Sequence, residues 1–203
     1  KERFNGHASE DGAFICQNSW GRDFGNEGVF YISYSDKVIG SKGEVYTRIE
    51  DTDNYDSIYQ YDAAGWEGSI GYGRNKAYMA NVFTALEDSS VEAVSFYAVD
   101  DNTSYRVYVC EDFQGTSSLS TDSDNLAQGF FSNAGYYTVD LKCAVIVEVV
   151  TPGSGKPVAV NLIDEVGKES SAESYISNSG YEWENTVKSD SCVVCLKAFT
   201  SRK

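Results

Sequence analysis

The residues that could take part in chemistry lie near the start of this 203-residue chain. A short run, Asn18-Ser19-Trp20-Gly21, follows an apolar stretch, and Gly25 and Gly28 come soon after it. A Cys–His pair works as thiolate and imidazolium only when the imidazole is held in one orientation and one tautomer. A side-chain amide carbonyl can accept a hydrogen bond from the ring without adding charge, and an indole can keep water away from that bond. The same residue types are common in ordinary turns, so the run alone allows either interpretation.

The order of residues from 14 to 34 resembles the last catalytic segment of the papain-like cysteine peptidases. In that family a strand delivers an Asn-Ser-Trp-Gly tetrad, a turn of the form aromatic-Gly-x-x-Gly follows, and a final aromatic strand closes the segment. Here the turn is Phe24-Gly25 to Gly28 and the last strand is Phe30-Tyr31-Ile32-Ser33-Tyr34. Two positions depart from the family pattern: Phe24 stands in place of Trp, and Gln17 in place of a basic residue.

This resemblance implies roles for two residues. Asn18 would orient the catalytic imidazole, and Trp20 would shield the hydrogen bond between Asn18 and the imidazole from water. The reaction would be hydrolysis of peptide bonds through an acyl-thioester. We expect strands at Ala13–Gln17 and Val29–Tyr34, with apolar faces and edges that a complete peptidase domain would cover.

The nucleophile and the base of such a peptidase are not evident in this chain. Cys16 lies two residues before Asn18 in the same predicted strand, where the two side chains share a face and cannot hold an imidazole between them. The single histidine, His7, stands in Gly6-His7-Ala8 but is followed by a polar loop instead of the apolar strand that the family has. We therefore interpret His7 as a loop residue and expect the catalytic Cys and His to belong to an upstream segment. That segment and a protein or peptide substrate are the expected partners, the chain alone should be inactive, and no cofactor is predicted.

The composition excludes some classes of function. A net charge of −15 repels phosphate backbones and anionic lipid surfaces, which argues against nucleic-acid and membrane partners. No run of 18 or more apolar residues exists that could span a membrane. Few lysines and arginines, with many Tyr, Ser, Asn and Gly residues, favour an extracellular or cell-surface protein.

The pattern changes near Ser35-Asp36-Lys37, which predicts a peptidase-like segment at 1–36 and a second domain at 37–203. In the second domain bulky residues recur at every second position, as in half-buried strands. Residues 93–99 and 103–109 flank the turn cluster Asp100-Asp101-Asn102, which predicts a hairpin. The fold class is therefore all-β, an antiparallel β-sandwich of jelly-roll type, preceded by the last strands of a papain-like catalytic domain. The predicted strands are Val45–Ile49, Ala77–Phe83, Ala93–Val99, Ser104–Cys110, Gly135–Leu141, Ala144–Val150, Val158–Leu162 and Cys192–Thr200.

The second domain also resembles a known family. Several segments look like the lectin-like domain that follows papain-like peptidase domains in bacteria and archaea, and the name rests on fold likeness, which does not establish sugar binding. Two other functions stay open for this domain: a carbohydrate or cell-surface binding module that targets the peptidase, and a purely structural β-domain that caps or restrains it. The segments are Asn54 to Asp62, Val94 to Tyr97, Gly135 to Leu141, Glu173 to Ser177 and Trp183.

Two features of this domain could bind ligands. Asp51, Asp53 and Asp56 alternate like the oxygen ligands of a calcium loop, but the EF-hand spacing is absent and a solvated acidic turn explains them as well. Aromatic rings could stack against a sugar, with Tyr59, Tyr61 and Trp66 as the candidates and Trp66, between glycines, as the most exposed. Filling of the core is the alternative role, and it applies equally to Tyr72, Tyr78, Tyr181 and Trp183.

The cysteines do not predict a metal site. Cys192-Val193-Val194-Cys195 has ligand spacing without a second pair or a nearby histidine. Positions three apart in a strand face opposite sides, so we expect one of the two in the core and the other outside. Cys110 and Cys143 are predicted to be buried thiols or a disulfide, and the odd total of five leaves at least one thiol free or paired between chains.

Overall fold

A computed structural model describes residues 8–39, 45–85, 88–110, 112–122, 124–141, 145–163 and 171–202. The chain falls into two compact units, residues 1–50 and 51–203. His7 and Cys143 lie outside the described residues. Among the described helices, none has the length and apolarity needed to cross a membrane.

The first unit contains an antiparallel hairpin. Strand β1 (Ala13–Gln17) pairs with β2 (Val29–Ser33) in a register that runs from Ala13 opposite Ser33 to Gln17 opposite Val29. The connection needs glycine at position 25, because its φ is 62° and a Cβ there would collide with the carbonyl oxygen of Val29. The glycine spacing thus sets the turn that presents residues 18–21.

The second unit is built almost entirely from antiparallel strands. Its only described helical segments are a 3-10 turn (Thr116–Ser118) and a single helical turn, α1 (Thr186–Ser189). The strands are β3 (Ser57–Tyr59), β4 (Gly68–Ile70), β5 (Lys76–Val82), β6 (Ser89–Ala98), β7 (Thr103–Val109), β8 (Ala127–Phe131), β9 (Gly135–Asp140), β10 (Val145–Val150), β11 (Val158–Leu162), β12 (Glu173–Ser177), β13 (Glu184–Asn185), β14 (Cys192–Val194) and β15 (Leu196–Arg202).

These strands form a sandwich. One layer is a six-stranded sheet in the order β13-β12-β5-β10-β7-β8, and the other consists of β14-β11-β4 beside β3-β15-β6-β9. The core between the layers takes Met79 and Val147 from the first layer and Phe96, Val160 and Leu196 from the second, all at most 1% exposed. Burying each such side chain stabilises the fold by about 1.5–3 kcal/mol relative to leaving it in water. The predicted all-β antiparallel sandwich is confirmed.

Most predicted strands exist within one or two residues of the expected bounds, but two interpretations are wrong. Residues 45–49 form no strand, and Val45, Tyr46 and Ile49 are between 82% and 90% exposed. Alternation alone gave that prediction, and among the described residues no strand pairs with this stretch to bury its apolar side chains.

The predicted hairpin of residues 93–99 and 103–109 is also wrong. β6 pairs with β15 and β9, whereas β7 pairs with β10 and β8 in the opposite layer. The turn at Asp100-Asp101-Asn102 therefore carries the chain across the core from one layer to the other. Asn102 has a φ of 61°, a conformation that asparagine adopts more readily than most residues.

The predicted strand Cys192–Thr200 is interrupted at Cys195, where the chain leaves β14 and enters β15. The backbone on both sides of this break is buried, and side chains from the other layer hydrogen-bond to it. The side-chain amide of Asn81, itself 3% exposed, donates to the carbonyl oxygens of Val194 at 3.2 Å and Leu196 at 2.8 Å. Ser174 Oγ accepts from the Val194 amide at 2.8 Å. Two polar side chains of the six-stranded sheet thus hold the opposite layer where it changes sheets.

We predict that Asn81→Ala lowers the free energy of unfolding by about 2–4 kcal/mol, because two buried carbonyls lose their donor. Urea denaturation followed by fluorescence measures the change. The control is Asn133→Ala, which truncates an exposed amide and should change stability by less than about 0.5 kcal/mol. Equal effects of the two substitutions would contradict the role assigned to Asn81.

Candidate functional site

The first candidate site is the end of β1. The backbone amide of Asn18 donates to the carbonyl oxygen of Gly28 at 2.9 Å, which continues the hairpin pairing by one residue. The Asn18 side-chain oxygen accepts from the Ser19 amide at 2.7 Å. A carbonyl oxygen has two lone pairs, so this contact fixes the Asn18 side chain and leaves one acceptor site for an imidazole.

Trp20 follows in an exposed position. It is 73% exposed and meets Phe24 edge to face, with ring centroids 5.0 Å apart. Phe24 in turn packs edge to face on Phe30, with ring centroids 5.7 Å apart. These three rings brace the turn, and the free side of the indole is available to cover a neighbouring hydrogen bond.

Cys16 lies in β1 opposite Phe30 and is half-buried. Its place in the strand agrees with a packing role. The part of the chain that the structure describes contains no histidine, since His7 falls outside it. The described hairpin therefore presents a side-chain amide and an indole, and no histidine lies among the described residues.

The second candidate site lies on the outer face of the four-stranded sheet. Tyr97 and Tyr136 are opposite each other in register on β6 and β9, and their ring centroids are 4.8 Å apart. Trp66, from the loop between β3 and β4, packs against Tyr97 with ring centroids 5.6 Å apart. We call these three rings the aromatic row. Trp66 is 41% exposed and Tyr136 is 43% exposed, so the row forms a partly open apolar surface.

The protein fixes the polar ends of the row. The indole nitrogen of Trp66 donates to Ser69 Oγ at 3.1 Å, and the Tyr136 hydroxyl bonds to the buried Ser95 Oγ. Tyr136 is partly exposed as a residue, but its hydroxyl bonds to a side chain with no exposed surface, and burial raises the pKa of Tyr136 to about 12. Hydrogen bonds within the protein thus hold two of the three rings in place.

Both ends of the loop that carries Trp66 are held. At one end the Gly65 amide donates to the Asp62 carbonyl at 3.1 Å, and the φ of 76° at Gly65 favours glycine there. At the other end the Glu67 carboxylate accepts from the Leu162 amide at 3.0 Å and from the Asn161 side chain.

A buried ion pair lies beneath this loop. Asp62 has no exposed surface, and its carboxylate is 3.6 Å from Lys197 Nζ, a side chain that is only 18% exposed. Burial raises the pKa of Asp62, and the positive charge of Lys197 opposes that change. Lys197 also lies 5.7 Å from the centre of the Tyr136 ring.

The expectation that one of Cys192 and Cys195 lies outside is wrong, because both are buried. Cys192 faces the core, as expected, but Cys195 on the other side is also buried, at 1% exposed, because the 62–66 loop covers it. Its thiol donates to the Gly65 carbonyl oxygen at 3.4 Å. Burial raises the pKa of both thiols.

Cys110, half-buried, donates to Ser118 Oγ at 3.6 Å. All four described cysteines are free.

The other sugar candidates lie in a different ring group. Tyr59 and Tyr61 pack on Phe83, with centroid distances of 6.0 Å and 4.9 Å, and the Tyr61 hydroxyl donates to the Val82 carbonyl at 2.6 Å. The structure brings Trp66 together with Tyr97 and Tyr136 instead.

The calcium candidates are dispersed on the surface. Asp51, Asp53 and Asp56 are exposed, and the Asp56 carboxylate accepts from the Arg202 amide at 2.8 Å, which ties it to the end of β15. Among the described residues, no three Asp, Glu, His or Cys side chains converge as metal ligands would.

Sequence reasoning missed Tyr97, Tyr136, Asp62 and Lys197. A signal for the two tyrosines was present, because Phe96-Tyr97 and Tyr136-Tyr137 are consecutive aromatic residues in predicted strands. Successive side chains of a strand point to opposite faces, so one ring of each pair had to lie on the outer face.

Comparison with known proteins places this architecture. The family model described as lectin-like domain matches residues 58–200. The fold is similar to that of a clostridial cysteine protease, a variant of Cwp84 after propeptide cleavage, with a TM-score of 0.72 and 25% identity over 96% of this chain and 52% of that one. A structure of the cysteine protease and lectin-like domains of Cwp84, a surface-layer-associated protein of Clostridium difficile, gives a TM-score of 0.69 and 23% identity over 96% and 47% of the two chains. The chain spans about half the length of these structures. No curated protein matches it.

The raised pKa of Tyr136 predicts a pH dependence. Because its pKa is about 12 in the folded state and 10.0 for a free tyrosine, its contribution to stability is complete below pH 10 and is lost as the pH rises to 12. The difference in unfolding free energy between the wild type and Tyr136→Phe should therefore be constant from pH 7 to 9 and should change between pH 10 and 12. Denaturation at each pH measures it, and a constant difference up to pH 12 would contradict the inward position of the hydroxyl.

Proposed function

Because this chain belongs to the lectin-like domain family, we propose that it is the C-terminal part of a secreted papain-like cysteine peptidase with the sandwich as its accessory unit. The hairpin that presents Asn18 and Trp20 is the observation that carries the proposal. Cwp84, to which 96% of the chain is similar in fold, combines a cysteine protease with a lectin-like domain. Residues 1–36 would then complete the peptidase domain, and residues 37–203 would form the lectin-like domain.

The exposed apolar surface of the hairpin supports this division. Phe14, Ile15, Trp20, Tyr31 and Tyr34 are between 48% and 73% exposed. Such a cluster on a short hairpin is expected to be covered by protein. An upstream segment that brings the nucleophilic Cys and the His would cover it and place the imidazole beside Asn18.

The location that fits this function is the cell surface or the extracellular space. Cwp84 is a surface-layer-associated protein, and a net charge of −15 disfavours contact with anionic lipid and nucleic acid.

We predict that the protein extended by the coding sequence upstream of Lys1 hydrolyses peptide substrates and that the present chain alone does not. In the extended protein, Asn18→Ala should lower kcat/KM by about 100-fold, because a misplaced imidazole costs roughly that much. Asn133→Ala, a truncated amide in the second unit, should leave kcat/KM unchanged. Turnover by the present chain that depends on Cys16 would overturn the proposal, as would full activity of the Asn18→Ala variant.

A second candidate function, glycan binding, is favoured by the aromatic row. Its rings are partly exposed, and bonds to Ser69 and Ser95 fix two of them. Preorganised aromatic faces suit the apolar faces of pyranose rings. A domain that binds a cell-wall or cell-surface glycan in this way would keep the peptidase close to its substrates.

We predict that a glycan identified on an array quenches tryptophan fluorescence and that Trp66→Ala weakens its Kd by about 10-fold or more, equivalent to about 1.4 kcal/mol. Stability should change little, since Trp66 is partly exposed. The control is Phe130→Ala, which removes a ring that is 59% exposed on β8 in the other layer. An array without hits, or equal losses for the two variants, would contradict a glycan site at the aromatic row and favour a structural role for the domain.

A further inference from the structure

The pair of Asp62 and Lys197 is not explained by peptidase or glycan chemistry. The carboxyl group of Asp62 has no exposed surface, and within the described part of the chain its oxygens accept no hydrogen bond of normal length. Lys197 and the Cys195 thiol are the groups near enough to interact with it. At 3.6 Å, Lys197 Nζ is beyond hydrogen-bonding distance of the carboxylate. A buried carboxylate normally satisfies its oxygens by hydrogen bonding, so this arrangement is poor for a permanent ion pair.

A second buried carboxylate in the same unit shows how such a group is usually satisfied. Glu148 is 5% exposed, and it accepts contacts from Lys76 at 2.9 Å on one oxygen and from Arg106 at 3.2 Å on the other. Lys76 and Arg106 have half-exposed side chains, at 41% and 51%. Both Glu148 oxygens are partnered and its lysine remains in contact with water, whereas Asp62 and Lys197 are enclosed together.

We propose that Lys197 and Asp62 become joined by an intramolecular amide bond between Nζ and Cγ. The reaction starts with transfer of a proton from the ammonium to the carboxylate, and burial, which raises the pKa of Asp62, favours the protonated carboxyl group. The neutral amine then adds to the carboxyl carbon, a proton passes from the nitrogen to one carboxyl oxygen, and the bond between Cγ and that oxygen breaks with release of water. The ammonium and the carboxylate together become one amide and one water molecule, so no oxidant or other reactant is needed.

The position of the pair favours this condensation. The 62–66 loop and the sheet beneath it hold the nitrogen and the carboxyl group in place, which removes most of the entropic cost of bringing them together. Lys197 has few alternative partners, since it projects from β15 opposite Ser95 and under Tyr136. Burial of Asp62 also limits the return of water for the reverse reaction.

The bond would link a loop near the start of the unit to its last strand. It would close a covalent ring through most of the sandwich, and a long closed loop stabilises mainly by restricting the unfolded chain. The aromatic row would gain a covalently fixed base, because Asp62 begins the turn that positions Trp66.

Mass spectrometry tests the proposal. The intact folded chain should be lighter than its sequence by the mass of one water molecule, even after denaturation. Trypsin should not cleave after Lys197, and digestion should release one branched peptide in which residues 49–74 are joined to residues 189–202. Fragmentation should place the junction at Asp62 and Lys197.

Two variants and an internal control complete the test. Lys197→Arg keeps the positive charge but cannot form this amide, and Asp62→Ala removes the carboxyl group, so both should show the full mass. The peptide that contains Lys76 should be unmodified in every sample, because that lysine belongs to the satisfied Glu148 pair. A folded wild-type chain of full mass, with normal cleavage after Lys197, would overturn the proposal whatever the variants do. A mass loss that persists in Lys197→Arg would assign the condensation to other residues and would also overturn it.

Discussion

The side-chain amide of Asn81 satisfies the backbone where the last strands of the sandwich change sheets. The chain has to leave β14 and enter β15 inside the core, where water cannot reach the carbonyls of Val194 and Leu196. An apolar residue at position 81 would remove the donor that Asn81 supplies to both groups. With Asn81 in place the alternation of side chains continues across the break, so that Val194 and Leu196 face the core while Cys195 and Lys197 face the outer side. Everything on the outer face near residue 197 depends on this register.

The outer face is ordered by the loop that crosses it. Residues 62–67 cover Cys195 and Lys197 and bring Trp66 against Tyr97. The result is a surface with a rigid aromatic upper side and an enclosed pair of opposite charges below. A strongly acidic protein has many carboxylates that repel one another, and Asp62 differs from most of them because it is wholly buried beside a cation.

The sequence predicted the architecture better than the connections. The strands at residues 77–83, 135–141 and 158–162 could be predicted because their apolar residues are needed for burial: the first and third are buried on both faces, and the second alternates between partly or fully buried and exposed positions. Alternation could not tell that β6 and β7 belong to different layers, since a turn cluster such as Asp100-Asp101-Asn102 fits a hairpin and a crossing equally well. The exposed stretch 45–49 shows the other limit, because alternation describes a strand only where a neighbour is available to pair with it.

The candidate sites were predictable to different degrees. The run around Asn18 and Trp20 could be found because its residues are contiguous and its glycines have fixed places in a turn. The aromatic row and the Asp62–Lys197 pair join residues from distant parts of the chain, and no local pattern indicates which of them meet. Trp66 was identified by its glycine neighbours, whereas its ring partners depended on the pairing of β6 with β9.

The pairing of β3 with β15 has a mechanical consequence. These strands are antiparallel neighbours, and Ser57 lies opposite Thr200, so the polypeptide enters and leaves the sandwich at the same place. A tension applied across these two residues would act along the backbone hydrogen bonds, which run perpendicular to antiparallel strands. The backbone hydrogen bonds between β3 and β15 would therefore break one after another. They would not share the load, as they would if the force acted parallel to the strands. Stretching the protein between two anchored points would thus begin to open the sandwich at this edge under a small force.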